Sequence, residues 1–219
     1  MRNPTVAYVL PFVAFLVFLS LDGKLGLPVD VEYPLRVFVL AGILWVFSRH
    51  VIDWKVKNWA GTLGIGVLVF LLWIAPDHLI PGYRTHWLFQ NSVVGAAPAP
   101  TAGYASLSSL ALVFRTIRAA VIVPVVEELF WRGWLMRWLI KPDFLSVPLG
   151  TYAGQAFWIS AVLFAAEHGQ FWDVGLVAGA IYNWWMVRTK SLGDCILAHA
   201  VTNGILSGYV MATGEWQYW

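Results

Sequence analysis

The chain has 219 residues, of which 59% are hydrophobic and only 12% charged, and its mean hydropathy is +0.68. Because a soluble domain carries about 25% charged residues, this composition excludes an ordinary soluble protein and predicts an integral membrane protein. The net charge of +2, with no run of Lys and Arg, gives no reason to expect nucleic-acid binding. The single cysteine, Cys195, excludes an internal disulfide.

Apolar segments long enough to cross a membrane recur along the chain. A hydrocarbon core about 30 Å thick requires about 20 helical residues. No small-x-small cleavage site follows the first segment, so we interpret it as an uncleaved span. The predicted fold is all-α, a polytopic transmembrane helical bundle of about seven spans: 5–21, 33–48, 59–75, 107–136, 151–168, 173–187 and 192–212.

The spans are predicted to form a single membrane domain over 1–219. Three N-terminal spans occupy 1–75, a long connection with an AAPAPTAG run occupies 76–106, and a catalytic helical core occupies 107–212. The fourth segment is overlong. It is either one tilted helix or two pieces broken near Pro124, whose ring removes a backbone hydrogen bond.

The distribution of basic residues predicts the orientation of the bundle. Cytoplasmic loops of membrane proteins carry the excess of Lys and Arg. With the N-terminus inside, the outer segments hold only Lys24 and Arg84, which favours a cytoplasmic N-terminus and an outer C-terminus. The inner segments then hold Arg2, Arg49, Lys55, Lys57, Arg137, Lys141, Arg188 and Lys190.

Two adjacent glutamates lie in the fourth segment. A charge near the bilayer centre costs at least about 2.5 kcal/mol, so embedded ionisable residues usually have a function. Glu128 and Arg132 are four residues apart, in the favourable order for a helical ion pair, and a purely structural role for that pair is one interpretation. Glu127 is rotated about 100° from Glu128. The residue four positions after Glu127 is Trp131, so Glu127 has no cation at the spacing of a helical ion pair. A carboxylate in such a position suits a general base.

Two more polar clusters lie in the fifth and seventh segments. Phe164 and His168 share a helix face, so the phenyl ring is expected to pack against the imidazole and fix it. His199 and Asn203 also share a face, with Cys195 one turn earlier. Two hydrogen-bond donors at this spacing suit an oxyanion site, although interhelical hydrogen bonding is the alternative interpretation of both clusters.

The turn after His168 is expected to lie below the membrane surface. Only four residues separate His168 from the next apolar segment, and both flanking segments are short for a core of about 30 Å. Non-helical backbone at that depth requires burial in protein or a water-filled cavity, and an active site would supply one.

In this order the three clusters resemble the CAAX protease and bacteriocin-processing family of membrane proteins. The family pattern E-E-x-x-x-R, F-x-x-x-H and H-x-x-x-N is met without departure in 127–132, 164–168 and 199–203. The resemblance implies a glutamate intramembrane protease, and a bacterial branch associated with exosortase-type sorting. It makes Glu127 the base that activates water and His168 its partner. His199 and Asn203 then hold the oxyanion, while Glu128 and Arg132 support the geometry.

The sequence therefore predicts an endopeptidase that cleaves a membrane-associated or C-terminally lipidated peptide or protein. No cofactor, metal or nucleic acid is expected, the partners are the substrate and the lipid bilayer, and the expected location is a bacterial inner membrane. Three alternatives remain open. They are a zinc-dependent membrane hydrolase with Glu127, His168 and His199 as ligands, a non-enzymatic immunity or assembly factor, and a thiol nucleophile at Cys195.

Overall fold

A computed structural model describes residues 3–91 and 107–219 as helices joined by turns. Each predicted apolar segment corresponds to one helix, which confirms the all-α fold class. In chain order the helices are α1 Pro4–Ser20, α2 Val29–Ser48, α3 Trp59–Leu79, α4 Ser109–Trp138, α5 Gly154–Ala166, α6 Trp172–Thr189 and α7 Leu192–Thr213.

Length and hydropathy single out four of these helices as able to cross a membrane, namely α2, α3, α4 and α7. Helices α1 and α5 are apolar but shorter. The bundle is therefore that of a membrane protein, and the count of seven spans stays a prediction.

Helix α4 runs unbroken through Pro124, so of the two alternatives for the fourth segment the structure has the single helix. A π-helical turn, Arg118–Ile122, lies directly before the proline, and a second, Leu129–Leu135, follows the two glutamates. A wide turn of this kind absorbs the missing backbone hydrogen bond without ending the helix.

The long connection begins later than the sequence predicted. Helix α3 continues through Pro76 to Leu79. The proline removes only one backbone hydrogen bond, and this close to the end of the helix that loss does not end it. A short 3₁₀ turn, Tyr83–Thr85, follows. Residues 92–106, including the AAPAPTAG run, lie outside the described residues, as does Arg2.

Small residues allow two pairs of helices to approach closely. A Cβ atom on Gly66 of α3 would lie 2.6 Å from Val201 Cβ and 2.7 Å from the Ala198 carbonyl oxygen of α7. A Cβ atom on Gly179 of α6 would lie 3.2 Å from Ala161 of α5. Such small-residue interfaces are typical of membrane helices, which pack without a hydrophobic driving force between them.

A buried carboxylate ties the N-terminal end of α3 to that of α7. Asp194 accepts hydrogen bonds from the amides of Lys57 (2.7 Å) and Asn58 (3.0 Å) and from the hydroxyl of Thr62 (2.7 Å). Its own amide donates to the Ser191 hydroxyl at 3.2 Å. The two helices therefore start at the same end of the bundle and run parallel.

We expect Asp194→Ala to lower the free energy of unfolding by about 3 kcal/mol, because the buried Thr62 hydroxyl and two part-buried amides lose a charged acceptor. Denaturant unfolding of the purified protein measures the loss. Asp143→Ala is the matched control, since Asp143 is exposed. Equal unfolding midpoints for the two variants would contradict this role for Asp194.

A basic residue links loops at each end of the bundle. The Lys57 ammonium donates to the carbonyl oxygens of Thr189 (3.2 Å) and Lys190 (2.9 Å), so the loops after α2 and α6 share one end. At the other end, Arg84 bonds the Gln170 carbonyl oxygen at 2.7 Å and forms an ion pair with Asp173. The cytoplasmic position of the first end remains a prediction.

Candidate active site

A cavity of about 220 Å³ lies between α1, α3, α4, α5, α6 and α7. It brings together the side chains of Glu127, His168, His199 and Asn203, which come from three separate stretches of the chain. Aromatic rings form much of the remaining wall: Phe15, Trp73, Phe164, Tyr182, Tyr218 and Trp219.

Glu127 is buried in the cavity wall, with 4% of its surface exposed. Among the described residues its Oε2 atom has no hydrogen-bond partner. The indole of Trp131 donates instead to Glu167 Oε1, at 3.1 Å. Glu127 therefore lines the cavity with a buried carboxylate whose Oε2 atom is left without a partner among the described residues.

Glu128 lies outside the cavity and is fully buried. Its Oε1 atom accepts hydrogen bonds from Arg132 Nη1 at 3.0 Å and from His199 Nδ1 at 2.9 Å. The ion pair with Arg132 follows from the four-residue spacing. The bond to His199 was not foreseen, and it links the second glutamate directly to a cavity residue.

Arg132 is held from three sides. Besides Glu128, its guanidinium donates to the Asn183 side-chain oxygen at 2.9 Å and to the Gly179 carbonyl oxygen at 3.1 Å. The Asn183 amide donates in turn to the Phe157 carbonyl oxygen at 2.8 Å. Sequence reasoning missed Asn183, although an amide inside the apolar sixth segment is a signal that could have found it.

The His168 ring is fixed by contacts on several sides. Its Nδ1 atom lies 2.7 Å from the Phe164 carbonyl oxygen, and its ring centroid lies 4.7 Å from that of Phe164 and 5.2 Å from that of Trp73. A carbonyl oxygen can only accept, so Nδ1 carries the proton. In the neutral ring Nε2 is then an acceptor.

The turn after His168 explains how this ring reaches the cavity. Helix α5 has only 13 residues and ends at Ala166, and a 3₁₀ turn, Gly169–Phe171, leads directly into α6. Gln170 in that turn is buried. The chain therefore reverses directly after His168, at the end of the bundle where Arg84 bonds Gln170, and His168 lines the same cavity as Glu127.

His199 and Asn203 lie one turn apart on α7. The His199 ring stacks on Tyr182 with centroids 5.1 Å apart, and its Nδ1 atom is engaged by Glu128. Asn203 donates one amide hydrogen to the Ala119 carbonyl oxygen at 2.9 Å. Tyr182, which donates to the Thr202 hydroxyl at 2.8 Å, was also missed by sequence reasoning.

The thiol of Cys195 and a possible metal site are the remaining candidates from the sequence. Cys195 is fully buried, its thiol lies 3.7 Å from the Tyr182 carbonyl oxygen, and it does not line the cavity. Within residues 3–91 and 107–219, no group of three or more His, Cys, Asp or Glu side chains is placed to hold a metal ion.

The four candidate site residues, Glu127, His168, His199 and Asn203, fall within one stretch of the chain that matches a family model. Residues 109–205 match the family model described as Type II CAAX prenyl endopeptidase Rce1-like. The match supports the resemblance to the CAAX protease and bacteriocin-processing family, and with it an intramembrane protease of the CAAX type. No curated protein and no solved structure matched the chain.

Proposed function

We propose that this protein is an intramembrane endopeptidase in which Glu127 activates water. One observation carries the proposal. One cavity is lined by a carboxylate with an oxygen free of partners in the described structure, by an imidazole with an acceptor nitrogen, and by a His and an Asn one helical turn apart on α7. These are the groups that hydrolysis of a peptide bond requires.

The water is held by two acceptors. The Glu127 carboxylate takes one of its hydrogens, and His168 Nε2, left as an acceptor by the Nδ1 contact to Phe164, takes the other. The oxygen lone pair then faces the substrate carbonyl. Glu127 accepts the proton as the oxygen attacks, which is general-base catalysis.

His199 and Asn203 stabilise the charge that develops on the carbonyl oxygen. With Nδ1 of His199 engaged by Glu128, Nε2 is the nitrogen available to the cavity, and Asn203 retains one amide hydrogen beyond its bond to Ala119. Because Nδ1 donates to Glu128, donation from Nε2 as well requires a proton on both ring nitrogens. Two such donors form an oxyanion site.

The proposed reaction is completed without a covalent enzyme intermediate. Water oxygen bonds to the carbonyl carbon, and Glu127 passes the proton that it took to the leaving nitrogen as the C–N bond breaks. The products are a carboxyl group and an amine, and the active site returns to its starting state. Glu128 and Arg132 do not touch the reacting atoms in this scheme and act by positioning His199.

We propose a membrane-associated or C-terminally lipidated peptide or protein as the substrate, consistent with the prenyl endopeptidase named by the family model and with the aromatic cavity wall. The further assignments remain proposals: the exosortase-associated branch, a bacterial inner membrane, and a cytoplasmic N-terminus.

The test is cleavage of an S-farnesyl-cysteine peptide by the detergent-purified protein, with products identified by mass spectrometry. We expect one new C-terminus and one new N-terminus for each cleavage. If neither this peptide nor any native membrane protein is cleaved when wild type is compared with Glu127→Gln, the proposal is wrong and a non-enzymatic role is favoured.

Chelation tests the chemistry of water activation. If Glu127 and His168 activate water alone, turnover should survive o-phenanthroline and EDTA, and elemental analysis of active protein should find no stoichiometric zinc. Loss of activity that zinc restores and magnesium does not would favour the zinc-dependent membrane hydrolase instead.

A further inference from the structure

A proline inside α4 removes the backbone donor from one carbonyl group of the helix. A π-helical turn pairs each N–H with the carbonyl five residues before it. At the end of the turn Arg118–Ile122, the Val123 amide bonds the Arg118 carbonyl in this way. In the same register the Ala119 carbonyl would take the N–H of residue 124, but that residue is Pro124, which has none. The helix therefore supplies no N–H to Ala119 in this register.

A side chain of the candidate site supplies the donor instead. Asn203 on α7 donates an amide hydrogen to the Ala119 carbonyl oxygen at 2.9 Å. The two helices approach each other here, since a Cβ atom on Gly204 would lie 3.8 Å from Ala120 Cβ. Ala119 and Asn203 both line the cavity. A carbonyl that a proline frees inside a membrane bundle is satisfied from a neighbouring helix, and at Ala119 the partner belongs to the proposed oxyanion site.

The Ala119 carbonyl also fixes the orientation of the Asn203 amide. A side-chain amide has a donating NH₂ group at one end and an accepting oxygen at the other. Because a carbonyl oxygen only accepts, Nδ2 must face Ala119. Rotation of the amide by 180° would bring two acceptor oxygens together. The second hydrogen on Nδ2, which the proposed mechanism uses, therefore has one fixed direction.

We propose that Pro124 is a positioning residue for the oxyanion site. Because it has no N–H, the Ala119 carbonyl is left to bond Asn203, and that bond directs the remaining Asn203 hydrogen. A donor that is already oriented needs no reorganisation when charge develops on the substrate oxygen. The inference rests on the proposed peptidase function and adds to it a residue that acts on the site through α4.

Restoring the missing N–H tests the proposal by kinetics. Pro124→Ala and Pro124→Val both give residue 124 an amide hydrogen, and Val nearly keeps the volume of the buried ring. Removing an oxyanion donor lowers kcat by about 10²–10³-fold. A misdirected donor keeps part of its effect, so we expect kcat to fall by about tenfold or more with KM little changed. Pro11→Ala, which changes a buried proline inside α1 that does not line the cavity, should leave kcat unchanged.

A double-substitution cycle shows whether Pro124 acts through Asn203. Once Asn203→Ala has removed the donor, adding Pro124→Ala should lower kcat no further. Independent effects would multiply instead. Such a result would indicate that the substitution displaces Glu127, which lies three residues after the proline.

Thermal melting follows the same cycle without any turnover. In the wild-type background Asn203→Ala leaves the Ala119 carbonyl without this donor, and we expect the melting temperature to fall by about 2–4 °C. In the Pro124→Ala background the restored N–H bonds that carbonyl, so the same substitution should lower the melting temperature less. Coupling in melting without cleavage of any peptide would contradict the peptidase function and leave the link between Pro124 and Asn203 in place.

Three results would overturn the role of Pro124. One is a wild-type kcat in folded Pro124→Ala and Pro124→Val. The second is additivity of the Pro124 and Asn203 substitutions, in kcat or in melting temperature. The third is loss of folding in both proline variants, which would show that the ring is needed for the structure of α4 itself.

Discussion

Glu127→Gln is expected to give a well-folded protein that is nearly inactive. The amide has almost the size of the carboxylate and can still accept a hydrogen bond at Oε1, but it cannot take a proton from water. Loss of a general base lowers turnover by about 10²–10⁴-fold. Because Oε2 of Glu127 has no partner among the described residues, no structural hydrogen bond is lost. The measurements are kcat on a cleaved peptide and thermal melting in the same detergent.

The matched control for that substitution is Glu167→Gln. Glu167 lies close to the site and bonds the Trp131 indole, but it does not line the cavity. It should keep most of the wild-type turnover. If both variants lost activity equally, the effect would reflect the loss of negative charge in this region rather than loss of a base at Glu127.

Glu128→Gln is expected to act mainly on stability. Glu128 is the anionic partner of both Arg132 and His199, and Arg132 has no exposed surface. Removing one partner of a buried pair leaves an uncompensated charge and costs about 3–5 kcal/mol. The remaining bonds from Arg132 to Asn183 and Gly179 favour the lower end of that range. Activity should fall as well, since His199 loses the group that orients it.

A double substitution separates charge from packing. Replacing Glu128 and Arg132 together by Leu and Met removes both charges, so the double variant should unfold with a smaller penalty than the sum of the single variants. Denaturant titration of the four proteins in the cycle measures the coupling. Additive penalties would show that the two side chains do not act as a pair.

Local spacing was enough to predict which residues share a helix face. The pair Glu128–Arg132, the contact of Phe164 with His168, and the placement of His199 and Asn203 one turn apart all follow from the 3.6-residue repeat. Helix boundaries were harder to predict, because a proline such as Pro76 indicates the end of a helix although α3 continues past it.

Contacts between helices could not be predicted from the same patterns. The bond from His199 to Glu128 joins residues 71 positions apart, and it depends on the rotation of α7 against α4. Asn183 and Tyr182 enter through α6, whose approach is set by small residues such as Gly179. Their polar groups were visible in the sequence, but their partners were not. The position of His168 at the cavity likewise depended on how early α5 ends.

The most direct test of the account compares Glu127→Gln with Glu128→Gln, using one cleaved peptide and one melting protocol. The account predicts that Glu127→Gln melts close to wild type with turnover reduced by about 10²-fold or more. It predicts that Glu128→Gln melts earlier and keeps measurable turnover at a temperature where it is folded. Near-normal turnover by Glu127→Gln, with Glu128→Gln folded and inactive, would show that the base is the other carboxylate.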